Sequence, residues 1–482
     1  MKNLVAGEFK DASNGAVIEV YNPATNELLD TVPNATAEDV DACVKKAVEA
    51  QKAWAKMPLH ERGRIIEKFA DLVEENAEDL ATLLCKETGK PIREARAEIG
   101  NTRTFAYGYV EKAKHMYGNV IPAGTEAGQE KTIQITQQEP LGVVACIIPF
   151  NFPCDLFGQK VPSALVMGNA VIVKPSSTNP LTLHKYCELL KIAGIPDGVI
   201  NILSGSGEVC GNALSAHPGV HLISLTGSTK VGMETMKTAS QNLSHVMLEL
   251  GGNDAFLFLE DGDMDKAIEE TVWGRLYNTG QVCCASKRFL IHNSRKQEFI
   301  DKMKAKIASM KVGNPLDPET EIGCLISEKA AIGVEQQVNE TVAAGATIVC
   351  GGHRNGAFYE PTILDNVTRD MEVAKDMEIF GPVIPVIGFD TVEEAIEIAN
   401  QSNYGLCGCV FTEDMKMAFK VCNALECGGA VINGASFYRA AEMPFGGWKH
   451  SGIGNEGIST TLKEMSRTKT IVLKNILDVE SI

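Results

Sequence analysis

The sequence predicts an α/β fold, built on a doubly wound parallel sheet and followed by a second α/β segment. Three patterns support this prediction: an early group of helices, a middle part in which short apolar runs alternate with helical stretches, and a further alternation of the same kind. Strands that alternate with helices form parallel sheets, and such sheets bind ligands at the carboxyl ends of their strands.

The early helical group spans about residues 36–117, which are rich in Ala, Glu, Lys and Leu. Apolar side chains recur there at the spacing of a helix face. Thr36 followed by Asp39 predicts a capping box at the start of the first helix. The segment 131–139 then alternates apolar and polar residues, which predicts a strand at a solvent edge.

Five apolar runs in the middle of the chain alternate with stretches of helical pattern. The runs are 143–148, 170–173, 199–203, 222–225 and 246–250, and the helical stretches lie near 156–168, 180–193, 207–216 and 229–240. Such runs, joined by helices, are typical of a parallel sheet. The second α/β segment follows at about 254–437, with helices predicted at 296–310 and 392–400.

The composition excludes several classes of partner. The 482 residues include 45 Lys and Arg against 62 Asp and Glu, a formal charge of −17 without a basic block. Nucleic acid and anionic membrane both require clustered positive charge, so neither is expected. No apolar run is long enough and free enough of charge to span a bilayer, and no signal-peptide pattern opens the chain, so a cytoplasmic location is expected.

The 14 cysteines are dispersed along the chain, and many lie in apolar runs. Buried thiols in a reducing compartment account for this distribution better than disulfides do. No cluster has the Cys and His spacing of a zinc site, so no metal is expected.

One cysteine stands out by its local sequence. Cys283 follows a polar turn with the sequence NTGQV and precedes a predicted strand. A thiol is a good nucleophile for a carbonyl carbon when its surroundings favour the thiolate, and Gly280 lets the backbone approach a substrate closely. A buried structural cysteine is the alternative interpretation.

Two further polar residues lie at the carboxyl ends of predicted strands. Glu249 lies in the apolar run LELGG, where burial would raise the pKa of its carboxyl group toward the range of a general base. Asn151 lies between two prolines in PFNFP, where its amide could donate to an oxyanion. A solvated strand residue and a turn residue are the respective alternatives.

Glycine-rich turns follow other predicted strands. Gly227 and Ser228 link the fourth strand to its helix, a position that offers backbone N–H groups and a hydroxyl to phosphate. The run GSGEVCG, which begins at Gly205, has its third glycine one residue too late for the dinucleotide fingerprint, and Met233 stands where a P-loop needs lysine. A plain glycine-rich turn is therefore an open alternative.

Together these motifs resemble one family, the NAD(P)-dependent aldehyde dehydrogenases. The matching segments, in order over essentially the whole chain, are PFNFP, VKPS, LTGSTKVG, LELGG, NTGQVC, EIFGPV and PFGGWKHSG. The resemblance is to non-acylating members such as succinic semialdehyde, non-phosphorylating glyceraldehyde-3-phosphate and lactaldehyde dehydrogenases. It implies a modified Rossmann cofactor domain without GxGxxG, a second α/β catalytic domain and a small β element for oligomerisation.

The same resemblance implies domain limits and an assembly. A dinucleotide-binding domain would comprise 1–121 and 141–252, and a catalytic domain 253–451. The bridging segments would be 122–140 and 452–482. The strand-like tail would pair with a neighbouring subunit, together with the earlier bridging segment, in a homodimer or homotetramer.

For the reaction, the resemblance assigns four catalytic residues. Cys283 attacks the aldehyde, and the Asn151 amide with the Cys283 N–H holds the oxyanion. Glu249 activates the water that hydrolyses the thioester. Lys160 helps to relay the proton.

The resemblance also assigns the cofactor residues, which are Lys174, Ser176, Ser177, Gly227, Ser228, Leu250, Glu378 and Phe380. Lys174 would contact the adenosine ribose, Ser228 the pyrophosphate, Glu378 the nicotinamide ribose and Phe380 the nicotinamide. Many NAD-preferring relatives have a glutamate at the position of Ser177, which repels a 2′-phosphate. We therefore expect NADP⁺ to be accepted and preferred over NAD⁺.

The substrate residues implied by the resemblance are Phe152, Gln159, Tyr277, Val282, Arg439 and Phe445. Succinic semialdehyde dehydrogenases usually have arginines at the positions of Gln159 and Tyr277, and their absence weakens that assignment. Relatives acting on glyceraldehyde 3-phosphate, lactaldehyde or phosphonoacetaldehyde often keep an arginine near Arg439, so a short polar or anionic aldehyde is expected. An ion pair with Glu442 is the alternative role of Arg439.

Three other functions stay open at this point. A coenzyme A-acylating dehydrogenase would pass the acyl group to a thiol, but such members generally lack the glutamate of LELGG. Succinic semialdehyde dehydrogenase activity without the usual arginines is a second alternative. A non-catalytic binding protein is the third, although it would have no chemical need for Asn151, Glu249 and Cys283 together.

Overall fold

The structure is a computed structural model that describes residues 1–477, so residues 478–482, the end of the predicted bridging segment, lie outside the described part. The helices of residues 1–477 are α1 (Ala37–Trp54), α2 (Leu59–Glu75), α3 (Ala77–Thr88), α4 (Ile92–Ala113), α5 (Pro153–Val166), α6 (Leu181–Ala193), α7 (Asn212–Ala216), α8 (Thr229–Ala239), α9 (Met264–Thr271), α10 (Lys296–Ala308), α11 (Glu328–Ala343), α12 (Val392–Asn400), α13 (Met415–Ala424) and α14 (Ile458–Glu464). The strands are β1 (Asn3–Val5), β2 (Glu8–Lys10), β3 (Val17–Tyr21), β4 (Leu28–Pro33), β5 (Val120–Ile121), β6 (Ile133–Pro140), β7 (Val143–Ile147), β8 (Ala170–Lys174), β9 (Ile200–Ile202), β10 (Leu222–Thr226), β11 (His245–Glu249), β12 (Asp254–Phe258), β13 (Ser286–His292), β14 (Thr347–Cys350), β15 (Arg354–Asn355), β16 (Phe358–Tyr359), β17 (Thr362–Val367), β18 (Val383–Phe389), β19 (Tyr404–Gly405), β20 (Cys407–Phe411), β21 (Gly429–Ile432), β22 (Trp448–Lys449), β23 (Gly452–Ile453) and β24 (Ser466–Leu473).

The sheet of the first half confirms the doubly wound parallel prediction. Its five central strands lie in the order β9-β8-β7-β10-β11, and every neighbouring pair among them is parallel. Because the order reverses at β7, a crevice opens at the carboxyl ends of β7 and β10. The sequence patterns did not predict the antiparallel strands at the two edges, β1 with β2 on one side and β23 on the other.

A second sheet forms the core of the other half. It runs β14-β17-β18-β13-β12-β20-β21, and all its pairs are parallel except the edge pair of β14 with β17. Its central strands β12 and β20 are buried at every position, as expected for a sheet covered on both faces. Phe256 and Phe411 stack across neighbouring strands with ring centroids 4.5 Å apart.

The early helices α1 to α4 pack against the first sheet and the helices that cover it. The predicted capping box of α1 is confirmed, because Thr36 and Asp39 exchange side-chain to backbone hydrogen bonds. Trp54 Nε1 donates to the carbonyl of Leu165, which anchors α1 on the end of α5. Helix α4 packs along α5, so residues of both helices lie beside the turn that precedes α5.

The bridging segments form a separate three-stranded sheet in the order β24-β6-β5. β24 pairs antiparallel with β6 of the same chain, in a register from Ser466 opposite Pro140 to Leu473 opposite Ile133. Pairing of this sheet with a neighbouring subunit stays a prediction, as do the domain limits. Within residues 1–477 no helix has the length and apolarity needed to cross a bilayer.

Candidate active site

The loop before Cys283 has a strained backbone. Asn278 and Thr279 both adopt left-handed conformations, with φ of 50° and 54°, and Gly280 follows with φ of 76°. Such a conformation costs a non-glycine residue about 1–2 kcal/mol, and it persists where surrounding contacts enforce it, often at functional sites. Gly280 is required for a second reason, because a Cβ atom there would lie 2.3 Å from the carbonyl oxygen of Gly381.

Buried hydrogen bonds hold this loop in place. The backbone N–H of Asn278 donates to the Glu94 carboxyl group over 2.8 Å. Gln281 Nε2 donates to the Asn278 carbonyl over 3.1 Å, and Gln281 Oε1 accepts from the backbone N–H of Ile326. These hydrogen bonds connect the loop to two distant parts of the chain, at Glu94 and Ile326, so the position of Cys283 depends on tertiary contacts.

The two adjacent thiols have opposite electrostatic surroundings. A hydrogen bond from Cys284 lowers the pKa of Cys283 to about 7, with help from the positive charges of Lys287 and Arg439 and against the effect of burial. The pKa of Cys284 is raised well above its ordinary value. Cys283 is partly exposed and Cys284 is buried. Cys283 is therefore the thiol of the pair that ionises near neutral pH.

Asn151 lies in the turn before α5 and is tied to the Cys283 loop. Its Nδ2 donates to the carbonyl of Gln281 over 3.2 Å. Its own carbonyl accepts from Asn278 Nδ2 at 2.9 Å and from Lys90 Nζ at 2.8 Å. Lys90 is fully buried in an ion pair with Glu98. Sequence reasoning missed Lys90 and Glu98, because nothing in the turn after α3 or in the helical pattern of α4 marks them as site residues.

Glu249 ends β11 and is buried, with 3% of its surface exposed. Among residues 1–477 neither of its carboxyl oxygens has a hydrogen-bond partner. Burial, and secondly the negative charge of Glu456, raise the pKa of Glu249 well above its ordinary value, against the influence of Arg439 and Lys160. The solvated alternative for Glu249 is therefore wrong, and no hydrogen bond within the described residues engages either of its carboxyl oxygens.

Lys160 lies on α5, and its ammonium contacts Glu456 at 2.6 Å, both side chains being fully buried. Glu456 also pairs with Arg439 at 2.6 Å. The ion pair that was the alternative role of Arg439 is thus present, but its partner is Glu456 and not Glu442, which instead contacts Lys112. Sequence reasoning missed Glu456, although a carboxylate inside the glycine-rich run GIGNEG is a signal of the same kind as LELGG.

A cleft at the carboxyl ends of β7, β8 and β10 has a volume of about 490 Å³. All eight predicted cofactor residues line it, namely Lys174, Ser176, Ser177, Gly227, Ser228, Leu250, Glu378 and Phe380. The start of α8 lies at the cleft, and the Ser228 hydroxyl accepts from the N–H of Val231. The first N–H groups of a helix have no partner within the helix, so this position suits a phosphate. Lys174 is buried, and its ammonium donates to the carbonyl of Pro175. These donors and the apolar wall fit a dinucleotide.

A second cavity, of about 230 Å³, lies on the other side of Cys283. Four predicted substrate residues line it: Phe152, Tyr277, Val282 and Arg439. Sequence reasoning missed other lining residues, namely Asn101, Phe105, Asp155, Leu156, Trp273, Cys284, Phe437 and Ala441. The rings of Phe152, Tyr277 and Phe437 pack together with centroids 5.3–6.2 Å apart.

The two remaining substrate predictions, Gln159 and Phe445, need correction, because neither lies on the wall of this cavity. Gln159 is 1% exposed and its amide oxygen accepts from the Tyr109 hydroxyl at 2.7 Å, so it lies one layer behind the wall. Phe445 is buried beneath Arg439, whose guanidinium lies 4.1 Å from the ring centroid. Phe445 therefore supports Arg439 from behind.

The cleft and the cavity meet at two residues, Asn151 and Cys283, which line both. A thiol that ionises near neutral pH and an amide donor thus lie between a dinucleotide-sized cleft and a smaller, largely aromatic cavity. The buried carboxyl group of Glu249 completes the group of titratable residues. Among residues 1–477 no cluster of three or more His, Cys, Asp or Glu residues could hold a metal ion.

Comparison with known proteins agrees with this arrangement. The model of the aldehyde dehydrogenase family matches residues 9–471. The chain is 38% identical to 3-sulfolactaldehyde dehydrogenase of Priestia aryabhattai over 95% of this chain and 94% of the relative. It is 37% identical to lactaldehyde dehydrogenase of Methanococcus aeolicus, covering 95% and 97%, and 39% identical to human retinal dehydrogenase 2, covering 98% and 92%.

Solved structures agree as well. An E. coli protein described as an NADP dependent enzyme has a TM-score of 0.95 and 35% identity, with 98% of each chain covered. Betaine aldehyde dehydrogenase of Staphylococcus aureus in complex with NAD⁺ has a TM-score of 0.94 and 33% identity, covering 99% of this chain and 98% of the other. The chain therefore belongs to the aldehyde dehydrogenase family and is an oxidoreductase that acts on aldehydes.

Proposed function

We propose that this chain oxidises a short polar or anionic aldehyde to the carboxylic acid by way of a thioester on Cys283. The observation that carries the proposal is the position of Cys283 and Asn151 at the junction of the cleft and the cavity. An aldehyde in the cavity and a dinucleotide in the cleft would both reach the same sulfur atom.

The first step uses Cys283 and Asn151. The Cys283 thiolate, favoured by its lowered pKa, attacks the aldehyde carbon, forms a C–S bond and leaves the electron pair of the carbonyl on oxygen. That oxyanion accepts hydrogen bonds from the Asn151 amide and the Cys283 N–H. A bound nicotinamide dinucleotide supplies the acceptor for the hydride, after which the acyl group remains on Cys283 as a thioester.

The second step uses Glu249. Its buried carboxylate takes a proton from water while the water oxygen bonds to the thioester carbon. The C–S bond then breaks, the acid is released and the Cys283 thiolate is regenerated. Lys160 and Arg439 lower the proton affinity of Glu249 through their positive charges, and Glu456 holds both of them near it.

For the cofactor, Ser177 supports a preference for NADP⁺ over NAD⁺. Its hydroxyl lies in the cleft and donates to the Gly205 carbonyl over 3.1 Å, and Lys174 lies on the same wall. A serine there offers no negative charge against a 2′-phosphate, whereas a carboxylate would repel it. The relatives include both NADP-dependent and NAD⁺-bound proteins, so the argument rests on these side chains.

For the substrate, the size of the cavity favours a short aldehyde. Its 230 Å³ is below the roughly 300–1,000 Å³ of pockets that hold drug-sized ligands, so a molecule as long as retinal fits poorly despite the 39% identity to a retinal dehydrogenase. Arg439 adds guanidinium N–H donors to the cavity wall. Relatives named for lactaldehyde and sulfolactaldehyde act on aldehydes of this size and polarity.

One assay separates the proposal from its alternatives. Purified protein is mixed with an aldehyde panel and NADP⁺ or NAD⁺, with and without coenzyme A, and the product is identified. The expected result is reduced cofactor and free acid in equal amounts, with no dependence on coenzyme A. An acyl-coenzyme A product would favour the acylating alternative, and the absence of any reduced cofactor would favour a binding protein.

Location and assembly follow from less specific features. All 14 cysteines are free thiols, which supports a reducing, cytoplasmic compartment. An assembly of two or four copies is supported by apolar side chains exposed on and after α8, among them Met233, Met236 and Leu243.

A further inference from the structure

Asp155 places a carboxyl group on the wall of the aldehyde cavity. It is the third residue of α5, and its Oδ2 accepts a hydrogen bond of 3.4 Å from Asn101 Nδ2 on α4. Its Oδ1 is buried and has no hydrogen-bond partner within residues 1–477. A buried oxygen without a partner is unfavourable, so a ligand that donates a hydrogen bond to it gains a favourable contact.

The cationic groups near this cavity are already paired elsewhere. Arg439 donates to Glu456 at 2.6 Å, and the ammonium of Lys160 shares the same carboxylate. Lys90 is paired with Glu98. Asp155 has no such cation in contact within the described residues, and its Oδ1 is an oxygen of the wall that lacks a hydrogen-bond partner.

The surroundings of Asp155 favour a hydrogen-bond donor without charge. Burial, and secondly the charge of Glu98, raise the pKa of Asp155 to about 8, so the carboxyl group is an anion above that pH, where additional negative charge beside it is unfavourable. An ammonium group on the substrate would lie near Arg439, which lines the same 230 Å³ cavity. A hydroxyl group can donate a hydrogen bond to Asp155 and accept one from Asn101 or Arg439, so it suits both the acceptor and the donors of this wall.

We propose that Asp155, positioned by Asn101, selects an aldehyde that carries an uncharged hydroxyl group. This inference rests on the proposed aldehyde oxidation and narrows its substrate class. An unsubstituted alkyl aldehyde leaves Oδ1 without a partner, and above about pH 8 an aldehyde with a carboxylate brings a like charge toward the ionised Asp155. A site built to hydrogen-bond a hydroxyl discriminates strongly against the analogue that lacks it.

The test compares kcat/KM for lactaldehyde, propanal, 3-aminopropanal and succinic semialdehyde in the wild type, Asp155→Leu and Asp155→Asn, at a pH above the pKa of Asp155, where its carboxyl group is ionised. In the wild type we expect lactaldehyde to exceed each of the others by about tenfold or more. Asp155→Leu should lower the lactaldehyde-to-propanal ratio at least about tenfold, mainly through KM. Asp155→Asn keeps an acceptor oxygen without charge, so it should retain more of that ratio and raise the relative rate with succinic semialdehyde.

Propanal is the internal control, because a variant that is misfolded loses both aldehydes and leaves their ratio unaltered, and Asp155→Asn is nearly isosteric with the wild type. An unchanged ratio in folded Asp155→Leu, checked by its melting temperature, would overturn the role of Asp155. A wild-type preference for 3-aminopropanal would overturn it in favour of a cation site. If the wild type oxidises none of the aldehydes, the proposed function itself fails.

Discussion

At the scale of single residues, the site contains two thiols and two carboxyl groups, and the members of each pair have different surroundings. Cys283 and Cys284 are neighbours in sequence, yet the hydrogen bond between them lowers the pKa of one and raises that of the other. Glu249 and Glu456 are both buried, but Glu456 has two cationic partners and Glu249 has no hydrogen-bond partner in the described chain. These contrasts lead to separate predictions for each residue.

The first prediction concerns the two cysteines. Cys283→Ala should abolish aldehyde oxidation, while Cys284→Ala should keep most of it above pH 8. Because a thiolate forms as the pH rises through the pKa, alkylation of Cys283 by iodoacetamide should accelerate with a midpoint near pH 7. Removing the Cys284 donor should move that midpoint upward. Mass spectrometry locates the adduct, and an adduct on Cys284 would show that the assignment is reversed.

The second prediction concerns Glu249→Gln. The glutamine cannot take a proton from water, so thioester hydrolysis should slow by about 10²–10⁴-fold while formation of the thioester continues. Stopped-flow absorbance should therefore show a burst of reduced cofactor, one per active site, before a slow steady state. In wild type, the raised pKa of Glu249 implies that the steady-state rate increases with pH as this carboxyl group ionises. Loss of the burst as well would mean that Glu249 acts before hydride transfer.

The third prediction concerns the cofactor. Ser177→Glu places a carboxylate in the cleft, so the ratio of kcat/KM for NADP⁺ to that for NAD⁺ should fall at least about tenfold. Thr178→Glu is the matched control, since it adds the same charge at an exposed neighbour that does not line the cleft. If both substitutions change the ratio of kcat/KM for NADP⁺ to NAD⁺ equally, Ser177 does not determine the choice of cofactor.

At the scale of elements, the loop between α9 and β13 carries the reacting thiol in a backbone conformation that few residues adopt. Asn278 and Thr279 have left-handed, strained backbones, and buried hydrogen bonds between the loop and distant segments hold them in this conformation. Three consecutive residues with positive φ, Asn278, Thr279 and Gly280, thus lead directly to the reacting thiol.

The fourth prediction compares a glycine-to-alanine substitution in this loop with the same substitution in a helix. Gly280→Ala introduces a Cβ atom 2.3 Å from a backbone oxygen at a positive φ, so it should destabilise the protein by about 1–3 kcal/mol and lower kcat/KM by tenfold or more. Gly333→Ala, in the helix α11 with open space around it, should stabilise by about 0.5–1 kcal/mol with activity retained. Urea unfolding and steady-state kinetics measure both. If Gly280→Ala changes neither stability nor kcat/KM, the backbone of the loop can move to accept a side chain at this position.

Local patterns predicted most elements of the fold but few of the contacts between them. The parallel strands and the capping box of α1 follow from apolar runs and from residues three positions apart. The contact of Lys90 with Asn151, and that of Lys160 with Glu456, join residues 61 and 296 positions apart, which no periodicity encodes. Gln159 was misplaced for the same reason, since its burial depends on a tyrosine of another helix.

At the scale of the whole molecule, exposed apolar surface supports an assembly. The fifth prediction is that light scattering gives two or four times the mass of one chain, and that Met236→Glu combined with Leu243→Glu lowers this mass by disrupting an apolar contact. Phe419→Glu, at a similarly exposed apolar position on α13, is the matched control. A wild type that is monomeric at all concentrations would contradict the prediction.

The junction of the cleft and the cavity has a consequence for how such a protein can diversify. Apart from Asn151 and Cys283, the two walls share no lining residue, so a substitution in one wall need not disturb the other. Free-energy changes add where the substituted residues share no contact partner. A lineage can therefore exchange its aldehyde while keeping its electron carrier, or exchange the carrier while keeping the aldehyde, and only changes at the shared pair put both at risk.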